Sequence, residues 1–132
     1  MLKEILLYIW QLPQNLLGLL LIKLYGDCSL YNVDNGRRFY SSSHMPSGIS
    51  LGNYIILYKA TFGEDYHHEY GHSIQSRWLG WFYLLVIGLP SLIGNIWDRL
   101  FHRNWSYKDS VRWYYSQLWE AWADHLGGVK RF

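Results

Sequence analysis

Five consecutive residues, His68-Glu69-Tyr70-Gly71-His72, carry the most specific chemistry in the chain. They match H-E-x-x-H, a zinc-binding pattern when it lies on a helix. Residues i and i+4 stand one turn apart on the same helical face, so both imidazoles reach one ion. Glu69 is offset from His68 by about 100° around the helix axis. It can face a water on the metal without ligating it, which is where a catalytic base belongs. His67 cannot share the face of His72 and is read as a neighbour without a metal role. The opposing reading of the motif is two solvent-exposed histidines on a polar helix.

A catalytic zinc usually takes about three protein ligands and keeps one position for water. The extended pattern H-E-x-x-H-x-x-G-x-x-H needs glycine at position 75 and histidine at position 78. The chain has Gln75 and Trp78, which excludes that class. Downstream, Glu120-Ala121-Trp122-Ala123-Asp124 places two acids one helical turn apart, beside Trp119 and Trp122. An acid among indoles is costly to bury unless it is paired or bound to metal. Glu120 is therefore the expected third ligand. Asp124 is expected to accept a hydrogen bond from the far nitrogen of a ligating histidine. Asp124 as the direct ligand stays open, as do two merely exposed acids.

Together, the two motifs resemble those of the gluzincin metallopeptidases, which carry H-E-x-x-H on one helix and E-x-x-x-D on a second. The E-x-x-A-D form is most similar to the membrane-embedded gluzincins, the heat-shock and prenyl-protein-processing group, where hydrophobic segments also separate the motifs. The motif match covers His68–His72 and Glu120–Asp124, and the arrangement covers roughly residues 50–127. The resemblance implies a zinc-dependent metalloendopeptidase with one Zn2+ per chain and a peptide or protein substrate. Glu69 would take a proton from a zinc-bound water and pass it to the leaving amine. The resemblance also implies that the strand before the zinc helix borders the cleft and pairs with extended substrate. Leu51, Gly52, Asn53 and Tyr54 are the candidates there, with an interior strand as the equal alternative. Arg112, Tyr114, Tyr115 and His125 are the nearby candidates for an oxyanion donor, and none stands out. The runner-up is a zinc-binding, membrane-associated module or scaffold without catalysis, against which the intact Glu69 counts.

Several elements must position these residues. Residues 64–79 read as a helix with Glu64 and Asp65 in its first turn. Residues 51–60 are β-branched and aromatic and read as a strand, and Ile55-Ile56-Leu57 suits one buried on both faces. Residues 107–127 read as the last helix, capped by Ser106 with Asp109 and ended by Gly127-Gly128. Its packing stripe is Val111, Tyr115, Leu118, Trp119, Trp122 and Leu126. Residues 3–24 read as a helix kinked near Pro13, and residues 26–50 as loops around short extended pieces such as Arg37–Tyr40. The expected fold is α+β, in a single domain over residues 1–132. A small sheet packs on the zinc helix and on a second, Glu-bearing helix, with hydrophobic helical segments that could enter a membrane.

Composition narrows the partners. Half of the residues are hydrophobic and aromatics reach 19%, which suits a packed core, a membrane interface or both. A net charge of +2 gives no electrostatic case for nucleic acid. The single cysteine, Cys28, excludes an intrachain disulfide and a Cys-rich zinc site, and reads as a partly buried free thiol. Residues Trp78 to Trp97 carry no charge and are bracketed by Arg77 and Asp98. That length could span a bilayer, but Gly88-Leu89-Pro90-Ser91 would bend or break it into a re-entrant hairpin. A buried hairpin in a soluble core is the alternative. No small-residue cleavage site follows the N-terminal apolar stretch, so a membrane-lying helix is preferred to a cleaved signal. The expected location is a bacterial cell membrane, with a soluble cytoplasmic protein as the alternative.

Overall fold

The structure is a computed structural model, and it describes residues 1–131. Helices α1 (Leu2–Trp10) and α2 (Leu12–Tyr25) meet at Gln11 with a bend of 83°. Pro13 sits in the first turn of α2, where its missing N–H costs no helical bond. The kink expected near Pro13 is thus a corner between two helices.

Strands β1 (Ser29–Asp34) and β2 (Arg37–Ser41) form a hairpin, and β3 (Ile49–Leu51) and β4 (Tyr54–Leu57) form another. The first turns on Asn35-Gly36, both at positive φ (49° and 83°), as the twist of a two-residue hairpin demands. The sheet order is β1-β2-β4-β3. The central pair β2/β4 is parallel, and both hairpins are antiparallel.

This topology corrects the strand expected over residues 51–60. Gly52 and Asn53 form a turn, with Gly52 at φ 67°, between two separate strands. Of the candidate substrate residues, Leu51 thus ends the edge strand β3, Gly52 and Asn53 make the turn, and Tyr54 begins the interior strand β4. The close approach anticipated at Gly52 is made by the chain itself. Asn53 N–H donates to Asn15 Oδ1 at 2.8 Å, and a Cβ on Gly52 would lie 2.1 Å from that same oxygen. β4 is interior and buried on both faces, and the sheet edge on this side belongs to β3.

Helix α3 (Glu64–Leu79) has the bounds read from the sequence. It packs on one face of the sheet through a core of Phe39, Ile55, Leu57 and Tyr66. The rings of Phe39 and Tyr66 stack at 3.9 Å. Beyond α3, a 3-10 turn (Gly80–Phe82) and a π-helical turn (Leu84–Gly88) lead into α4 (Leu89–Phe101). The break expected at Gly88–Ser91 is a change of helix type, because Pro90 falls in the first turn of α4. The chain runs on instead of folding back. The run Leu84–Phe101 has a mean hydropathy of 1.3 and is 11% buried, and it is long and apolar enough to cross a bilayer.

The helix expected over 107–127 is two helices, α5 (Tyr107–Ser116) and α6 (Leu118–Gly127), parted where Gln117 takes an extended ψ of 141°. The cap is as expected: Ser106 Oγ accepts from Asp109 N–H at 3.1 Å. Gly128 ends α6 in the left-handed region. The break re-aims α6, so the continuous apolar stripe does not form. Leu118 is exposed, and the buried face of α6 is Glu120, Ala123 and Asp124.

A candidate metal centre between two helices

Helices α3 and α6 touch backbone to backbone. A Cβ on Gly71 would lie 1.8 Å from the carbonyl oxygen of Ala123, and one on Gly127 would lie 1.9 Å from that of His67. Side chains beside such a contact are brought within reach of each other. His68, Glu69 and His72 from α3 are buried, as are Glu120 and Asp124 from α6. His67 is exposed, in line with a residue that has no part in the centre.

Glu120 Oε2 lies 2.9 Å from His68 Nε2 and 3.0 Å from His72 Nε2. Three donor atoms from His68, His72 and Glu120 thus lie within 4.8 Å of one another, enough to hold a metal ion. Both far ring nitrogens are engaged. His68 Nδ1 donates to Asp124 Oδ1 at 2.6 Å, and His72 Nδ1 to Gln75 Oε1 at 2.6 Å. Gln75 is itself held, since its Nε2 donates to the Trp119 carbonyl at 3.0 Å. With Nδ1 protonated on each ring, the neutral tautomer leaves both Nε2 lone pairs facing Glu120. Tetrahedral ligands about 2.0–2.1 Å from zinc stand about 3.3 Å apart, so each imidazole–Glu120 pair needs to open by only a few tenths of an ångström. The donor set fits zinc: two imidazoles and a carboxylate, each oriented from behind.

The second oxygen of Glu120 is also held. Ser91 Oγ, from α4, donates to Oε1, and the Tyr114 hydroxyl, from α5, donates to it at 3.2 Å. Asp124 carries Arg131 as well as His68. Glu69 differs from all of these. Its Oε2 is buried and has no hydrogen-bond partner among the described residues.

The charges follow from this packing. Burial would lower His68, but hydrogen bonds to Asp124 and Glu120 overturn that and bring it up to about 10. Burial likewise opposes a charge on His72, and the bond to Glu120 raises it. Burial would raise Glu120, yet the bonds from His68 and His72 hold it well below the ordinary carboxylate range. Glu69 is pushed up, mainly by burial, with the positive rings of His72 and His68 opposing.

The expected ligands His68, His72 and Glu120 are therefore brought together, with Glu69 beside them and Asp124 on the outer nitrogen of His68. The donor candidates divide. Tyr114 reaches the cluster through Glu120, and the Tyr115 ring stands edge-on to the His68 ring at 5.0 Å. Arg112 and His125 are exposed on α5 and α6. Gln75, Ser91 and Arg131 were not read from the sequence. Gln75, at i+3 from His72, was open to the same outer-nitrogen reasoning as Asp124; Ser91 and Arg131 carry no local signal. No protein-family model, curated protein or solved structure matches the chain.

Proposed function

We propose that this chain is a small, membrane-associated, zinc-dependent metallopeptidase in which His68, His72 and Glu120 hold the ion and Glu69 is the base. The observation that carries the reading is the convergence of two oriented Nε2 atoms and one carboxylate oxygen beside a buried carboxylate with a free oxygen. A structural zinc has no use for such a carboxylate and usually fills about four positions with protein ligands. When bound, zinc would supply Lewis-acid polarisation of a water and of the scissile carbonyl. Glu69 Oε2 accepts the proton of the attacking water and returns it to the leaving nitrogen. Asp124 and Gln75 keep both histidine rings in register, and Ser91 and Tyr114 fix the plane of Glu120.

Elemental analysis of the purified protein beside His68→Ala tests the centre. About one zinc per chain is expected, lost in the variant; no metal in either, with zinc supplied, sinks the proposal. Glu69→Gln then tests the base. Zinc should remain while hydrolysis of an unfolded protein substrate falls by at least about 100-fold, and unchanged turnover would remove Glu69 from its role.

A further inference from the structure

Arg131 lies beyond the end of α6, and the chain turns back to place it against the same helix. Gly128 adopts the left-handed conformation, and Val129 N–H donates to the Asp124 carbonyl at 2.8 Å. The guanidinium then makes four contacts. Its Nε and one terminal nitrogen donate to Asp124 Oδ2 and Oδ1, both at 3.0 Å. The other terminal nitrogen donates to Glu64 Oε2 at 3.0 Å. Its plane lies over the Tyr115 ring, 3.6 Å from the centroid.

Two of these partners flank one imidazole. Asp124 Oδ1 accepts from His68 Nδ1, and the Tyr115 ring meets the His68 ring edge-on. A single hydrogen bond leaves a carboxylate free to rotate about its own axis. A bidentate guanidinium fixes its plane. We propose that Arg131 is a positioning residue for the metal centre: it locks the Asp124 carboxylate and the Tyr115 ring around His68, so that His68 presents Nε2 to the ion. The inference rests on the reading of His68, His72 and Glu120 as metal ligands. The arm to Glu64 is a different matter. Glu64 is exposed, and an exposed ion pair contributes little.

Zinc affinity, measured by competition with a chromophoric chelator, tests the inference on four proteins: the unaltered chain, Arg131→Ala, Arg131→Lys and Glu64→Ala. Arg131→Ala is expected to weaken zinc binding by about 10–100-fold, the usual effect of losing a partner behind a metal ligand. Arg131→Lys should fall between, because an ammonium can hold one oxygen but not the carboxylate plane. Glu64→Ala should stay within about twofold of the unaltered chain. A second readout needs no metal. In the zinc-free protein, the His68 Nδ1 proton, in its 2.6 Å bond to Asp124, should resonate far downfield. It should shift or broaden in Arg131→Ala.

A folded Arg131→Ala with zinc affinity within about twofold of the unaltered chain overturns the proposal. If that variant does not fold, Arg131→Lys decides: unaltered affinity there overturns it, and an intermediate loss upholds it. An unaltered chain that binds no zinc, with the His68 proton still observed, overturns the metal reading itself and the inference with it. That outcome is distinct from a loss confined to the Arg131 variants.

Discussion

At Glu120 the two carboxylate oxygens have different neighbours. Oε2 faces both histidine Nε2 atoms, and Oε1 is taken by the hydroxyls of Ser91 and Tyr114. Asp124 has no oxygen on the inner side, since its contacts are His68 Nδ1 and Arg131. The two acids, one turn apart on α6, therefore differ in kind: one faces the inner nitrogens of both histidines and the other the outer nitrogen of His68. Isosteric amides separate these roles while keeping volume. Glu120→Gln is expected to weaken zinc binding by more than about 100-fold, and Asp124→Asn by about 10–100-fold. Isothermal titration with zinc on both variants checks the ranking, and the reverse order would make Asp124 the direct ligand.

Helices α3 and α6 bring His68, His72 and Glu120 together only because Gly71 and Gly127 let their backbones meet. Gly71→Ala would set a Cβ against the Ala123 carbonyl, a backbone atom that cannot swing away. The helices must then part, which draws Glu120 from His68 and His72. A loss of about 1–3 kcal/mol in stability, typical of overpacking, is expected together with loss of zinc. Gly26→Ala is the control. It also replaces a glycine in the left-handed region, at the end of α2, but a Cβ there meets nothing within 4 Å among the described residues. It should cost about 1 kcal/mol and keep zinc. Chemical denaturation beside metal content distinguishes the two, and a Gly71→Ala protein that keeps its zinc would refute the argument.

The same elements show what a sequence displays and what it hides. Helix α3 was legible, with its bounds, because acids in its first turn and a histidine pair at i, i+4 are local signals. Asn35-Gly36 was equally local, a two-residue turn between extended segments, and went unread as a hairpin. Gly52-Asn53 was taken for part of one strand because Leu51 and Tyr54–Leu57 are apolar on both sides of it. The break at Gln117 has no glycine or proline to announce it; Ser116 Oγ and Gln117 Nε2 both donate there to the Trp113 carbonyl. Ser91 and Arg131 lie outside both motifs. Ser91 reaches Glu120 across 29 positions. Arg131 lies seven residues beyond Asp124, with only a turn of the chain to aim it.

Over the whole molecule, polarity is inverted along the apolar helices. The inner side of the corner between α1 and α2 consists of Gln11, Gln14 and Asn15, all at 0% exposure. Gln14 donates to Ser76 Oγ at 2.9 Å and to the Gly80 carbonyl at 2.8 Å, and Ser76 donates to Gln11 at 2.6 Å. Leu2, Ile5, Leu6, Leu16, Leu20 and Leu24 face outward, as do Leu85, Leu92, Ile93, Ile96 and Leu100 of the run Leu84–Phe101. Water favours the opposite arrangement, and exposed apolar surface on this scale marks a contact with lipid or another apolar partner. A bilayer accounts for both halves of the pattern: it takes the outward leucines, and it favours polar groups that are satisfied inside. It would also link lipid contact to the centre, since Ser91, which holds Glu120, lies on the same helical run. The protein is expected to need detergent or lipid to stay monodisperse and to float with liposomes in a density gradient. Leu92→Arg with Ile96→Arg should abolish flotation, at a cost of about 2.5–3.5 kcal/mol for each charge placed at mid-bilayer. A protein that is monodisperse in plain buffer and stays at the bottom of the gradient would exclude the membrane, and its exposed apolar face would then need a protein partner.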